Sequence, residues 1–355
     1  MNSRERFLAT ARYEPRDRLF QWEMGPYEET IARWQREGLP EDSTWEFYGG
    51  YDRYEVVPVS AYLCPAFERE TLEETSEYEI YRDGDGVIKR KRVDAEPPAM
   101  PQYLDYPLKG PEQWPEFSRR LNPASPARFP LHWESMKRDY AQRDYPLGLN
   151  CGSLFGWLRN WMGVEGIAIA LYDQPALIER AVEEITHCIL TVMDRALDGM
   201  NYDFAVFWED MAYKSASLIS PAMYRRFFLP HYRRITDRLH AAGIDLMMLD
   251  SDGNVEELIP CWLDVGINWI YPMEVAAEMD VVAMRKRFGK QLLIAGGMDK
   301  RVLASSKAAI KEMVNAVIPL CQEGGYIPGC DHAMPPDISW ENYRYYREQL
   351  NTIPV

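Results

Sequence analysis

Residues 243–256 read GIDLMMLDSDGNVE, and the two halves of this stretch obey different rules. From 244 to 249 the run is apolar with almost no interruption, which predicts a short strand buried on both faces, as a parallel sheet requires. Asp250, Asp252, Gly253 and Asn254 follow at once. A strand-ending Asp can simply cap the next helix. Two carboxylates two residues apart, beside a glycine that lets backbone approach closely, point to a site at the carboxyl end of the strand.

The same punctuation recurs on both sides. Strand-like runs lie at 146–149, 204–207, 269–271, 292–295 and 326–328, with helical patterns between them. The clearest helix spans 175–197, with Leu177, Ala181, Ile185, Cys188 and Val192 on one face. Repeated βα units with buried strands mean a parallel sheet. A further run at 18–22 gives seven strands, and an eighth is expected in the irregular early region. The fold class read from this is α/β, a single distorted (β/α)8 TIM-type barrel over residues 1–355. A doubly wound sheet is the rival, but no Gly-rich dinucleotide turn follows the first strand.

The early region differs. Ser3 is read as the cap of a helix running to about Arg12, and a second helix is expected over 27–37. From about 45 to 130 the pattern is irregular. Runs at 70–81 and 87–93 flank Asp83-Gly84-Asp85-Gly86, which predicts a β-hairpin over 70–93. Pro-rich stretches at 96–101 and 122–130 bound this insertion over one end of the main fold.

Composition narrows the function. A net charge of -15 argues against nucleic acid and anionic membrane as partners, since both demand concentrated basic surface. No apolar run approaches a membrane span, and the amino terminus is charged where a signal peptide would be apolar. Six cysteines without a CxxC pair describe no disulfide scaffold, so a reducing cytoplasm is the expected location. Eleven Trp and 22 Tyr exceed ordinary core needs and suit a pocket for a flat small molecule.

In a barrel all strand carboxyl ends open onto one rim. That places Glu209 and Asp210, Asp250 and Asp252, Glu274, Asp299 and then Cys330-Asp331-His332 around one mouth. Trp22, Glu23, Tyr27, Phe155, Trp157, Trp208 and Tyr271 are near it by strand position, and Arg159 and Lys214 are candidates for pairing with an acid or a substrate anion. His332 is open to two readings, a general acid or substrate ligand and a structural hydrogen bond. Cys330 is open to three: ligand, nucleophile, or a small buried side chain.

The sequence resembles the uroporphyrinogen decarboxylase superfamily, which includes the cobalamin-dependent methyltransferases of anaerobic methyl metabolism. The resemblance rests on SRERFLATARYEPRDR (3–18), GSLFGWLRNWMGVEG (152–166), WEDMAYKSASLISPAMYRRFFLPHYRRI (208–235), DSDGN (250–254), YPMEV (271–275), GGMDKR (296–301) and GYIPGCDHAMPPD (325–337). It implies a distorted (β/α)8 barrel with a central cleft. In the methyltransferase branch zinc sits on His-x-Cys and a later Cys. Asp250-x-Asp252 stands where His-x-Cys would, and Cys330 on the later Cys, so the resemblance implies a site of changed ligand type, with Glu274 as a fourth candidate. Glu23 and Met24 stand where the decarboxylase branch has an arginine-rich motif, which argues against a polyanionic tetrapyrrole substrate.

Three functions are therefore carried forward. The first is an O-demethylase type of methyltransferase, taking a methyl group from a small, methoxylated aromatic substrate to a corrinoid on a partner protein or to a pterin. Asp250, Asp252, His332 and Glu209 are its catalytic candidates, and Trp22, Glu23, Phe155, Arg159, Trp208, Lys214, Tyr271 and Asp299 its substrate-binding candidates. Zinc on Asp250, Asp252, Glu274 and Cys330 is the associated metal expectation, and a homodimer the expected assembly. The second is decarboxylation of a non-porphyrin acid, with Lys214, Arg159 and Arg301 holding the carboxylate. The third is a non-catalytic corrinoid-handling subunit.

Overall fold

A computed structural model describes residues 1–93 and 100–355. Its main sheet has seven strands, all parallel: β1 (Glu55–Val56), β6 (Leu147–Asn150), β7 (Phe204–Trp208), β8 (Met247–Asp250), β9 (Trp269–Tyr271), β10 (Leu293–Met298) and β11 (Tyr326–Cys330), paired in that order. Between β1 and β6 lie β2 (Glu70–Glu74), β3 (Tyr78–Arg82), β4 (Ile88–Arg92) and β5 (Gln102–Asp105), which form a separate antiparallel sheet.

Each main-sheet strand is short and hydrophobic because helices cover its outer side. The helix Pro175–Leu197 buries Leu177, Ala181, Ile185, Cys188 and Val192, the face expected from their spacing. On the concave side a second cluster gathers Phe204, Met248, Trp269, Leu293, Ala295 and Ile327. The first helix, Ser3–Ala11, plugs this interior: Phe7 stacks on Trp269 at 5.2 Å. Its cap is Asn2 rather than Ser3. Asn2 accepts from Glu5 N at 2.8 Å while Glu5 accepts from Asn2 N, a reciprocal box that Ser3 is one residue too late to make.

Three expectations need correction. Residues 18–22 are extended but pair in no ladder, because their polar contacts go to Asp52: Gln21 N donates to its carboxylate at 2.9 Å, and Arg18 binds both of its oxygens. Instead β1, inside the segment read as an insertion, joins the main sheet beside β6. In place of a single hairpin over 70–93 there are three strands, joined by β5 from beyond that range; the first flank is broken at 75–77, so that β2 pairs with β3 and β3 with β4 across the turn at 83–87. The proline-rich boundary at 96–101 falls, for residues 96–99, outside the described residues. Trp114, Phe117 and Leu121 of the same region pack into the main core. Among the described residues no helix is long and apolar enough to cross a membrane.

Register sets the rim. Trp208, Asp250 and Tyr271 stand side by side at the carboxyl ends of β7, β8 and β9, and Met298 pairs with Cys330 at the ends of β10 and β11.

Candidate functional site

Strand alternation aims Trp208, Asp250 and Tyr271 inward, in line with the interior residues Val206, Met248 and Trp269 two positions before them. Trp22 closes this layer, edge-on to Tyr271 at 5.5 Å and to Tyr54 at 6.1 Å. Asp250 is partly buried, and no group among the described residues donates a hydrogen bond to its carboxyl. Burial first, then the charges of Asp252 and Asp210, hold this carboxyl well above the usual carboxylate range, while His332 pulls the other way.

Past the strand, Gly253 lets the loop turn back. Its φ is +82°, and a Cβ there would lie 2.5 Å from Ala212 O. The turn presents Asp252 to His332, whose Nε2 stands 3.2 Å from Asp252 Oδ2 and whose Nδ1 stands 3.1 Å from the Tyr27 hydroxyl. The hydrogen bond to Asp252 raises the His332 pKa above its ordinary value against the effect of burial. Asp252 Oδ1 is buried without a partner. The backbone N of Asp252 donates to Asp210 Oδ1 at 3.2 Å, and Arg159 binds Asp210 through its carbonyl at 2.8 Å and its carboxylate at 3.2 Å. The Arg159 guanidinium also lies 5.2 Å over the Trp208 ring. Tyr27, Trp22, Trp208, Asp250, Asp252, Tyr271, Arg159 and His332 thus come together.

Other candidates leave the site. Glu209 is fully buried and accepts from the backbone N of Leu154, Phe155 and Gly156, where the helix Phe155–Asp173 begins, and from the Tyr232 hydroxyl. It satisfies the free donors of a helix start, and burial still pushes it up to about 7. Glu23 is buried against Arg347 (3.0 Å), Tyr346 (2.9 Å) and Cys330 N (2.6 Å). Phe155 packs edge-on to Phe228 in the core at 5.7 Å. Asp299 caps the helix Lys300–Leu303 and pairs with Arg301 at 2.7 Å. Lys214 is exposed on its loop with no ion-pair partner among the described residues.

The metal expectation meets the same test. Glu274 is bound to Lys300 Nζ at 3.0 Å and to Gly253 N at 3.3 Å. The Cys330 thiol is buried in the core, pushed well above its ordinary pKa by that burial, with only Asp331 Oδ1 at 3.9 Å. Among the described residues no three of His, Cys, Asp and Glu converge to hold a metal ion. The set Asp250, Asp252, Glu274 and Cys330 therefore does not fit zinc: β11 turns the thiol outward into the core, away from the acids.

Sequence reading passed over three neighbours. Tyr54 sits on the loop entering β1, and Tyr62 and Asp85 meet through a 2.7 Å hydrogen bond beside Trp208. The Asp83–Gly86 motif signalled a turn, and nothing local told where that turn would land.

A family model described as Uroporphyrinogen decarboxylase (URO-D) matches residues 92–352. The chain is 24% identical to a uroporphyrinogen decarboxylase of Trichormus variabilis over 192 residues, 51% of each chain. It is 23% identical to the uroporphyrinogen decarboxylase of Gloeobacter violaceus over 261 residues, 70% of this chain and 71% of that one. The alignment thus spans about half the length of several of the curated relatives it matches. Among solved structures, a methyltransferase from Methanosarcina mazei superposes with a TM-score of 0.60 at 13% identity, covering 99% of this chain and 98% of that one, which is a likeness of fold.

Proposed function

We propose, from the premise that this chain belongs to the uroporphyrinogen decarboxylase family, that it is an enzyme whose rim transfers a methyl group from a small methoxylated aromatic substrate. We read the seven parallel strands, with residues 19–25 laid against β11, as a distorted (β/α)8 barrel whose mouth is that rim. The observation that carries the reading is Asp250, held above the carboxylate range by burial and without a hydrogen-bond donor among the described residues, beside the Tyr27–His332–Asp252 chain and the rings of Tyr54 and Tyr271.

Breaking a methyl–oxygen bond leaves a developing phenolate that must be protonated. Asp250 is the acid placed for it, inside an aromatic layer that excludes water. His332 relays a proton from the outer side, oriented by Asp252 on one ring nitrogen and Tyr27 on the other. The acceptor, a corrinoid carried by a partner protein or a pterin, is a co-substrate that supplies the nucleophile. No step is routed through zinc, because its donors do not converge.

What favours methyl transfer over decarboxylation is the state of the cations. Arg159 and Arg301 are already bound to Asp210 and Asp299, and Lys214, the third cation of that reading, is exposed on its loop, so none is placed in the cleft to grip a substrate carboxylate. The test is incubation with methoxylated aromatics and either reduced cobalamin or a tetrahydropterin, following methylated acceptor and released phenol. Methyl transfer abolished by Asp250→Asn supports the reading. Carbon dioxide release from an acid substrate, with no methyl transfer to either acceptor, overturns it.

A further inference from the structure

Beside the acids, between the carboxyl ends of β6 and β7 and the turn at 83–87, lies a cavity of about 370 Å³. That is the small end of the range for ligand clefts, roughly 300–1,000 Å³. Tyr62, Trp157 and Trp208 give it three aromatic walls, and Asn150 and Asn160 contribute neutral polar groups. Tyr62 and Trp157 meet at 4.9 Å with their planes 60° apart, so the two rings form a corner rather than a stack.

Among the described residues its one charged lining group is Asp85, and no Lys, Arg or His lines it. Asp85 is placed deliberately. Trp161 Nε1 donates to the Tyr62 hydroxyl at 2.9 Å, and that hydroxyl donates to Asp85 Oδ1 at 2.7 Å. Of the cations nearby, Lys89 pairs with Asp83 at 2.6 Å and reaches Asp85 only through its field, and Arg159, over one face of Trp208, pairs with Asp210. Among the described residues Asp85 has no ion-pair partner. Burial holds its carboxyl above the ordinary range, so a cation placed beside it would relieve a standing electrostatic cost.

We propose that this cavity is a subsite for an organic cation, an alkylated ammonium group, with Asp85 as counter-ion and Tyr62, Trp157 and Trp208 as the faces that receive its methyl groups. Quaternary ammonium is bound by aromatic faces through the ring quadrupole, and a half-buried carboxylate adds the charge that a neutral head of equal shape cannot use. The subsite rests on the methyl-transfer reading only in what it adds to it, a substrate that carries a cationic group. Trp208 joins the two, since it lines the cavity and stands beside Asp250 in the sheet register.

The experiment is equilibrium binding to the whole chain, followed by tryptophan fluorescence and by calorimetry. The probes are choline and its neutral isostere 3,3-dimethylbutan-1-ol. Choline is expected to bind about tenfold or more tightly than the alcohol. Asp85→Asn keeps the side-chain volume and an acceptor for Tyr62, and should abolish that preference while leaving the alcohol's affinity unchanged. Equal binding of the two probes to the wild type, no binding of choline, or an unaltered preference in Asp85→Asn each overturns the proposal. Because binding needs no turnover, a protein that discriminates choline but transfers no methyl group sinks the functional reading and leaves the subsite standing.

Discussion

His332 Nε2 stands 3.2 Å from Asp252 Oδ2 across 80 residues of sequence, and that contact fixes both the orientation and the charge of the imidazole. The hydrogen bond to Asp252 is the largest cause of the raised His332 pKa. A raised folded-state pKa for a histidine contributes stability that is complete below the unfolded value of about 6.5 and is lost as pH rises through the folded value. Asp252→Asn is therefore expected to lower the His332 pKa and to remove that segment of the stability profile. Imidazole NMR titration of both proteins measures it; an unchanged His332 titration would show that the contact does not form in solution.

Glu209 gives a slope of the same sign in a lower window. Its folded pKa is pushed up to about 7 by burial, so the unfolded chain binds fewer protons between about 4.5 and 7 and stability falls as pH rises through that window. Glu209→Gln abolishes this slope. It also sets an amide donor against the backbone donors of residues 154–156, which costs about 1–3 kcal/mol. Urea unfolding at pH 5 and pH 7 tests both effects together.

Arg347 and Glu23 form an ion pair with both side chains essentially unexposed. Arg347→Met removes the cation that offsets the burial of Glu23, leaving it only the Tyr346 and Cys330 donors, and is expected to destabilise by about 3–5 kcal/mol. The double variant Glu23→Gln/Arg347→Met should regain part of this loss. Additive losses in denaturation would mean that the pair contributes no coupling.

Cys330 presents its thiol to the core and not to the acids. Cys330→Ala is expected to leave the metal content of the purified protein unchanged, as judged by elemental analysis. The native thiol should resist a thiol-specific reagent that labels it after unfolding. Metal lost on substitution would restore Cys330 as a ligand.

Much of the fold was legible in the chain. The runs at 204–207 and 326–328 fall on β7 and β11, and the second half of the run at 244–249 on β8, because a strand covered on both faces leaves an unbroken apolar signal. The helix read over 175–197 has those bounds for the same reason of period. Residues 18–22 failed the test of pairing: an apolar run states that a segment is buried, and Asp52 took the contacts that a neighbouring strand would have made.

The positions of acids after strands were equally legible, but which acid faces the cleft was not. Asp250 is the last residue of its strand and inherits the pleat, so its inward aim follows from Met248. Glu209 and Cys330 follow the same rule of position, yet one satisfies a helix start and the other faces the core. Cys330, last in β11, lies three residues after the interior Ile327 and so takes the opposite face of the pleat, whereas Glu209 is a loop residue without a period whose direction is set by a partner far away in sequence, Leu154. Asp85 is the extreme case: a turn residue in sequence, it becomes a cavity wall because a separate antiparallel sheet carries its turn to Tyr62 and Trp208. Local pattern encodes burial and period; contact between distant segments is decided only when the chain closes on itself.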